Sequence, residues 1–237
     1  MKIVIVSDIH ANLAALEALP ERQYDQLWCI GDLVDYGPNP REVIAWVQAN
    51  ARVVVRGNHD YAAGFKADPQ CSAPYRRLAA ETLRYTLDVC TENELSYLKN
   101  LPVYREIPVG QTNFYLVHAT PTDPLFGYCS ETSPSWREQA RCIDADVLVV
   151  GHTHTPFIRK EGNTTILNPG SLGQPKTGRP QACYAIWEDG KASLKEYTYP
   201  IEDTIRGIRA MPITPEDQDA LIAVLHTGAI PARIANL

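Results

Sequence analysis

The chain has 237 residues, of which 45% are hydrophobic and 21% charged, a composition typical of a folded domain rather than a disordered chain. Its net charge of −6 provides no general field to attract a nucleic-acid backbone, so a nucleic-acid partner is not expected. The apolar start reaches Asp8 too soon for a signal peptide, and no run approaches the roughly 20 apolar residues that cross a bilayer. We therefore expect a cytoplasmic protein without a membrane partner, whose six scattered cysteines are reduced.

Strands and helices alternate over the first sixty residues. Short β-branched runs predict three strands here, at 2–6, 27–30 and 53–55. A leucine-rich segment predicts a helix over 11–19, and a Pro-Asn-Pro turn at 38–40 begins a second helix. Two successive β-α units predict parallel strands joined by right-handed crossovers.

The middle of the chain is helical in character, and strands then resume. Between about 69 and 99, one helix is predicted to end near Val89, and a capping box predicts that another begins at Thr91. Further strands are predicted near 102–108, 113–118, 147–150, 155–160, 164–168, 181–188 and 192–198. Short polar turns at 161–163 and 188–190 predict hairpins.

The tail from Pro200 predicts two more helices, the second beginning at Thr214. No composition shift indicates an interdomain linker. We predict a single domain over 1–237, with a helical insertion at about 61–100 and a helical C-terminal extension at about 200–237. The extension leaves a homo-oligomer possible, since it is placed to cover a sheet edge or a second subunit.

Polar side chains follow five of the predicted strands. Strands of a sheet that release such side chains at the same end gather them in one small volume. Imidazoles, carboxylates and an amide collected in this way are ligands of divalent metals. Seven residues are candidate metal ligands: Asp8, His10, Asp32, Asn58, His118, His152 and His154.

The spacing of these residues suggests two metal ions. Asp8 and His10 are two residues apart, and in extended backbone such side chains point to the same side. The same argument applies to His152 and His154. Asp32 is the natural bridge, because one carboxylate has two oxygens. Seven ligands with one shared give four to each ion and leave room for water, as a catalytic site requires.

Two such ions can lower the pKa of a bound water, which then attacks a phosphate held across them. His59 follows Asn58 and is placed to give the leaving oxygen a proton, while Asp35 would keep His59 protonated and oriented. Asn12 begins the first helix, where it is either a substrate-binding residue that contacts phosphate or a helix cap.

These residues resemble the calcineurin-like metallophosphoesterases, whose signature has five blocks. The chain carries all five in order: Asp8-x-His10, Gly31-Asp32-x-x-Asp35, Gly57-Asn58-His59-Asp60, His118 and Gly151-His152-Thr153-His154. The resemblance covers roughly 1–198. It implies an α/β fold, a four-layer αββα sandwich of two mixed β-sheets flanked by helices.

The resemblance also implies roles for these residues. One metal would be held by Asp8, His10, Asp32 and His154, and the other by Asp32, Asn58, His118 and His152. His59 would be the acid and Asp35 the residue that orients it. The mixed nitrogen and oxygen ligands suit Mn²⁺ or Fe²⁺, with Ni²⁺, Zn²⁺ and Mg²⁺ left open.

The compact bacterial phosphodiesterase branch is the more similar part of this superfamily. The protein phosphatases of the superfamily carry Asp-Arg-Gly where this chain has Asp35-Tyr36-Gly37, so a phosphate-clamping arginine is missing here. We predict a phosphoesterase that hydrolyses phosphate mono- or diesters of a small metabolite or nucleotide. A dinucleoside polyphosphate hydrolase, a Ser/Thr protein phosphatase, a nuclease and a non-catalytic scaffold of the same fold are the alternatives.

Overall fold

The computed structural model describes residues 1–230, in which ten strands form two five-stranded sheets. The strands are β1 (Lys2–Val6), β2 (Gln26–Cys29), β3 (Val53–Val54), β4 (Tyr104–Val109), β5 (Thr112–Val117), β6 (Val147–Val149), β7 (Phe157–Glu161), β8 (Thr164–Asn168), β9 (Ala182–Glu188) and β10 (Lys191–Tyr197). The helices are α1 (Leu13–Glu17), α2 (Pro40–Asn50), α3 (Asn58–Phe65), α4 (Ala73–Val89), α5 (Glu92–Asn100), α6 (Trp136–Arg141), α7 (Ile201–Ala210) and α8 (Pro215–Thr227).

Both sheets are mixed. The first has the order β10-β9-β1-β2-β3, in which β1, β2 and β3 are parallel and β9 runs antiparallel to β1. The second has the order β4-β5-β6-β8-β7, with parallel β5, β6 and β8 between two antiparallel edge strands. The predicted parallel β-α units and both predicted hairpins are confirmed. Because neighbouring parallel strands end at the same edge, the loops after β1, β2 and β3 leave one edge of the first sheet together.

The alternation of side chains along the strands produces the layers. In β1, Ile3 and Ile5 face the second sheet, where the ring of Trp28 packs edge-on against Phe114 at 5.1 Å between centroids. Val4 and Val6, which point to the opposite face of the sheet, pack against α1 and α2 on the outer side. On the far side, Trp136 of α6 covers the second sheet. This order of layers confirms the predicted αββα sandwich.

Two helices were not predicted. The first, α3, begins at Asn58 itself, and although its last five residues fall within the predicted helical insertion, no separate helix was predicted in this segment before about 69. Its eight residues carry no apolar period, and its N-cap is Gly57, which has no capping side chain. The other, α6, has only six residues. No helix of the described residues is both long and apolar enough to cross a membrane.

The segments predicted as insertion and extension contain α3–α5 and α7–α8. Side chains of α7 and α8 pack with Leu78 of α4 and with Tyr36, so the two segments contact each other beside the sheet edge. That they are additions to a smaller domain stays a prediction. Residues 231–237 of the predicted extension lie outside the described part of the chain.

Candidate metal centre and catalytic site

The loops after five strands bring all seven candidate ligands together. The ligand atoms of Asp8, His10, Asp32 and His154 lie within 4.8 Å of one another, and so do those of Asp32, His118 and His152. Asp32 belongs to both groups, as a bridging carboxylate would. The amide oxygen of Asn58 joins the second group, at 3.2 Å from His118 Nε2 and 3.1 Å from His152 Nδ1.

The backbone brings these side chains together in a different way from the one predicted. Asp8, His10, His152 and His154 have φ between 48° and 64°, which is the left-handed region and not extended backbone. The predicted extended geometry is therefore wrong, although Asp8 and His10 do meet in one group as predicted. His152 and His154 face different groups. Hydrogen bonds from neighbouring loops stabilise these left-handed turns; for example, Asp8 N–H donates to the Gly31 carbonyl at 3.0 Å.

Three of the histidines are oriented by backbone carbonyls. His10 Nδ1 donates to the Val34 carbonyl at 2.9 Å, and His118 Nδ1 donates to that of Ile30 at 2.6 Å. His154 Nδ1 donates in the same way to the carbonyl of Gln174, at 2.6 Å. Because a carbonyl only accepts, each Nδ1 carries the hydrogen, and in the neutral ring the Nε2 lone pair then points into the centre.

The polar atoms of the first group fit a cation. His10 Nε2 lies 3.2 Å from His154 Nε2, and two lone pairs at that distance repel each other unless a positive charge lies between them. Asp8 Oδ1 is fully buried with no hydrogen-bond partner among the described residues. Burial raises the pKa of Asp8, but the nearby His154 and His118 outweigh it and lower that pKa, while burial holds the pKa of His10 well below its usual value. An ionised carboxylate beside neutral imidazoles is the state that metal binding requires.

In the second group, an imidazole lies against the shared carboxylate. Burial lowers the pKa of His118, yet Asp32, whose Oδ2 lies 3.2 Å from His118 Nε2, raises it to about 9. Burial and the neighbouring His118 lower the pKa of His152 to about 3. Asp32 thus attracts a proton to its site where no cation is bound, and a divalent ion would replace that proton.

A histidine–aspartate pair lies beside the two groups. His59 Nδ1 donates to Asp35 Oδ2 at 2.7 Å, and Thr86 Oγ1 donates to Asp35 Oδ1 at 2.7 Å. Both members of the pair are buried. Burial lowers the pKa of His59, but Cys71, Asp32 and Asp35 together raise it well above its usual value. These contacts favour the protonated form of the imidazole. That His59 is an acid oriented by Asp35 stays a prediction.

Asn12 lies at a helix start and has no free polar atom. Its Oδ1 caps α1 by accepting from Ala15 N–H at 3.1 Å and also accepts from Thr204 Oγ1 at 2.7 Å. Its amide donates to the Gly173 carbonyl and to Tyr199 Oη. All four hydrogen-bonding positions of the amide are used within the protein, so the structure favours the capping alternative over contact with phosphate.

Asp60, which follows the His59 position, has a structural part in the site. Its carboxylate accepts from the backbone N–H groups of Asp32, Leu33 and Gly57 at 2.8–2.9 Å. It thereby fixes the loop that carries Asp32 against the start of α3.

A cavity of about 270 Å³ opens above the two groups. Four of its lining residues are aromatic and one is a lysine: Tyr36, Tyr75, Phe126, Tyr128 and Lys176. Lys176 and Tyr75 were missed because neither lies near a motif block.

Comparison with known proteins agrees with this geometry. Residues 1–190 match the calcineurin-like phosphoesterase superfamily domain. An uncharacterized protein of Methanocaldococcus jannaschii is 30% identical over 84% of this chain and 88% of its own length. Phosphodiesterase YfcE of Escherichia coli is 27% identical over 82% of this chain and 91% of its own. A metallophosphoesterase of Sphaerobacter thermophilus, of known structure, superimposes with a TM-score of 0.82 at 29% identity, over 97% of this chain and 99% of its own.

The fold and the site together define a metal-dependent phosphoesterase, a hydrolase. The chain belongs to the calcineurin-like phosphoesterase superfamily.

Proposed function

We propose that this protein hydrolyses phosphate mono- or diesters of a small phosphorylated metabolite or nucleotide, and that Asp8, His10, Asp32, Asn58, His118, His152 and His154 hold two divalent ions. The buried His59–Asp35 pair beside two convergent ligand groups is the observation that supports this most strongly. A relative named as a phosphodiesterase supports the same class of substrate.

Each part of the site has a separate task in this proposal. When bound, the ions would supply an activated water and positive charge for the phosphoryl oxygens. His59 gives a proton from Nε2 to the leaving oxygen, which matters most for an alkoxide. Asp35 holds the imidazole in one orientation through Nδ1, and Thr86 holds Asp35 in turn. The nitrogen and oxygen donors suit Mn²⁺ or Fe²⁺.

The cavity supports a small substrate. Its volume of about 270 Å³ lies just below the roughly 300–1,000 Å³ found for small-molecule sites, so it suits a small ligand. The position that a phosphate-clamping arginine occupies in protein phosphatases holds Tyr36, whose ring is buried between His10 and His59. These features favour a metabolite or nucleotide over a phosphoprotein.

Hydrolysis of p-nitrophenyl phosphate and of bis(p-nitrophenyl) phosphate by Mn²⁺-loaded protein tests the proposal. We expect turnover of at least one ester, its loss on chelation, and its recovery on adding metal. With a phosphate ester of an alcohol as substrate, His59→Ala should lower kcat by about 10²–10⁴-fold. The control is His226→Ala, because His226 is exposed on α8 outside the site. No turnover of either ester by metal-loaded protein would reject the proposal.

A further inference from the structure

The cavity above the two ligand groups is enriched in aromatic rings. Tyrosine, phenylalanine and tryptophan make up 8% of the chain, but four of the thirteen residues that line this cavity are aromatic. They come from three separate segments, so no single helix or strand period accounts for them. A cavity enriched in this way matches a ligand with a flat aromatic part.

Tyr128 stands at the mouth of this cavity. Its side chain is 70% exposed, which is the largest exposure among the exposed large hydrophobic residues of the described chain. Its ring centroid lies 6.1 Å from that of His152, so the ring is next to the second ligand group. Phe126, on the same loop, is half-buried and is held edge-on by Tyr61 at 5.9 Å. The ring of Phe126 is thus anchored, and the exposed ring of Tyr128 presents an open face to a ligand.

Lys176 brings a positive charge to the same cavity. Its Nζ lies 4.4 Å from the centroid of the Tyr75 ring, which places the ammonium in a cation–π contact. No carboxylate of residues 1–230 lies within ion-pair distance of it. Lys176 and His154 both line this cavity, so the ammonium shares it with the first ligand group.

A cation held by an aromatic ring, rather than by a carboxylate, is available for an anionic ligand. The sequence lacks the arginine that clamps phosphate in protein phosphatases, and Lys176 supplies a charge to the cavity from the loop after β8 instead. An ammonium binds phosphate as a point charge, without the two-pronged geometry of a guanidinium.

We propose that this cavity is a nucleotide subsite, in which Lys176 binds a phosphate oxygen of the ligand and Tyr128, beside Phe126, stacks on its nucleobase. The inference rests on the proposed function and makes its substrate class more specific. It requires that the base and the phosphate each contribute separately to binding.

Competitive binding of three probes to the Mn²⁺-loaded protein tests the subsite. The probes are adenosine 5′-monophosphate, ribose 5-phosphate and inorganic phosphate, each measured against hydrolysis of p-nitrophenyl phosphate. We expect the nucleotide to bind at least about fivefold more tightly than ribose 5-phosphate, which corresponds to about 1 kcal/mol of base stacking.

Variants separate the two contributions. Tyr128→Leu keeps the apolar bulk but removes the ring, and it should bring the nucleotide to ribose 5-phosphate ratio close to one. Lys176→Met should weaken all three probes by about tenfold, and Lys176→Arg should restore most of that loss. Tyr104→Leu and Lys99→Met are matched controls: Tyr104 is 50% exposed outside the cavity, and Lys99 lies over the ring of Phe65, with Nζ 5.1 Å from its centroid.

Failure of the subsite and failure of the proposed function give different results. Equal affinity for the nucleotide and ribose 5-phosphate, or a ratio that Tyr128→Leu leaves unchanged, overturns the base contact. Phosphate affinity that is the same in Lys176→Met and Lys99→Met overturns the phosphate contact. If neither p-nitrophenyl phosphate nor bis(p-nitrophenyl) phosphate is turned over, the proposed function fails, and calorimetric titration of the metal-loaded protein with the same probes still measures the ratio. If only the bis ester is turned over, it replaces p-nitrophenyl phosphate as the competing substrate.

Discussion

Replacing Asp35 by asparagine tests how the proton on His59 is held. The change keeps the size of the side chain but removes the negative charge that accepts from His59 Nδ1 at 2.7 Å. Asp35 is one of the groups that raise the pKa of His59, so this pKa should fall in the variant. His59 acts while protonated, and activity is lost as the pH rises through its pKa. The alkaline limb of the pH–rate profile should therefore move to lower pH.

The size of the shift follows from the burial of the pair. The two side chains are 4% and 0% exposed, so solvent screens their interaction little. A hydrogen bond to a charged group contributes about 1.5–3 kcal/mol, and 1.36 kcal/mol corresponds to one pKa unit. We expect the alkaline limb to move down by about 1–2 pH units.

The assay is the pH dependence of kcat/KM for a phosphate ester of an alcohol, whose leaving oxygen needs a proton. The same profile with p-nitrophenyl phosphate should change less, because p-nitrophenolate leaves without one. Thr86→Val is the control: it keeps the charge of Asp35 and removes only the hydrogen bond to its other oxygen, so its shift should be smaller. An alkaline limb that stays in place in a folded Asp35→Asn protein would refute this reasoning.

Three further predictions concern the metal groups and the loops that carry them. His154→Ala should reduce the bound metal from two ions to about one per chain by elemental analysis, since His154 belongs to only one group; two retained ions would contradict its assignment. Gly173→Ala should lower the Tm and weaken metal binding, because its Cβ would lie 1.7 Å from the Ile9 carbonyl oxygen; Gly162→Ala meets no neighbouring atom within 4 Å and bears only the strain of its φ of 60°, so it should leave metal binding unchanged. Asp60→Ala should lower the free energy of unfolding by about 3 kcal/mol or more in urea, because three backbone N–H groups lose their acceptor; a change below about 1 kcal/mol would contradict this.

The strands could be predicted from the sequence because their side chains alternate. Ile3 and Ile5 face one core and Val4 faces the other, so a short β-branched run with both faces buried is a strong signal. The helix α3 could not be predicted in this way. It begins with Asn58 and His59, whose positions are set by the site rather than by an apolar period.

The seven candidate metal ligands could be found in the sequence because few residue types bind metals and each of these seven residues follows a strand. The path of the backbone through the site could not be predicted, because the left-handed turns at Asp8 and His10 depend on hydrogen bonds to a neighbouring loop. Lys176 gave no signal either: in the sequence it is a loop lysine after a proline, and only the fold brings it over Tyr75.

Anomalous scattering from crystals grown with Mn²⁺ tests the central claim most directly. We expect two anomalous peaks, one among Asp8, His10 and His154 and the other beside His118 and His152, with the Asp32 carboxylate between them. Peaks elsewhere, or none after metal loading at neutral pH, would contradict the assignment of these residues as a dinuclear centre.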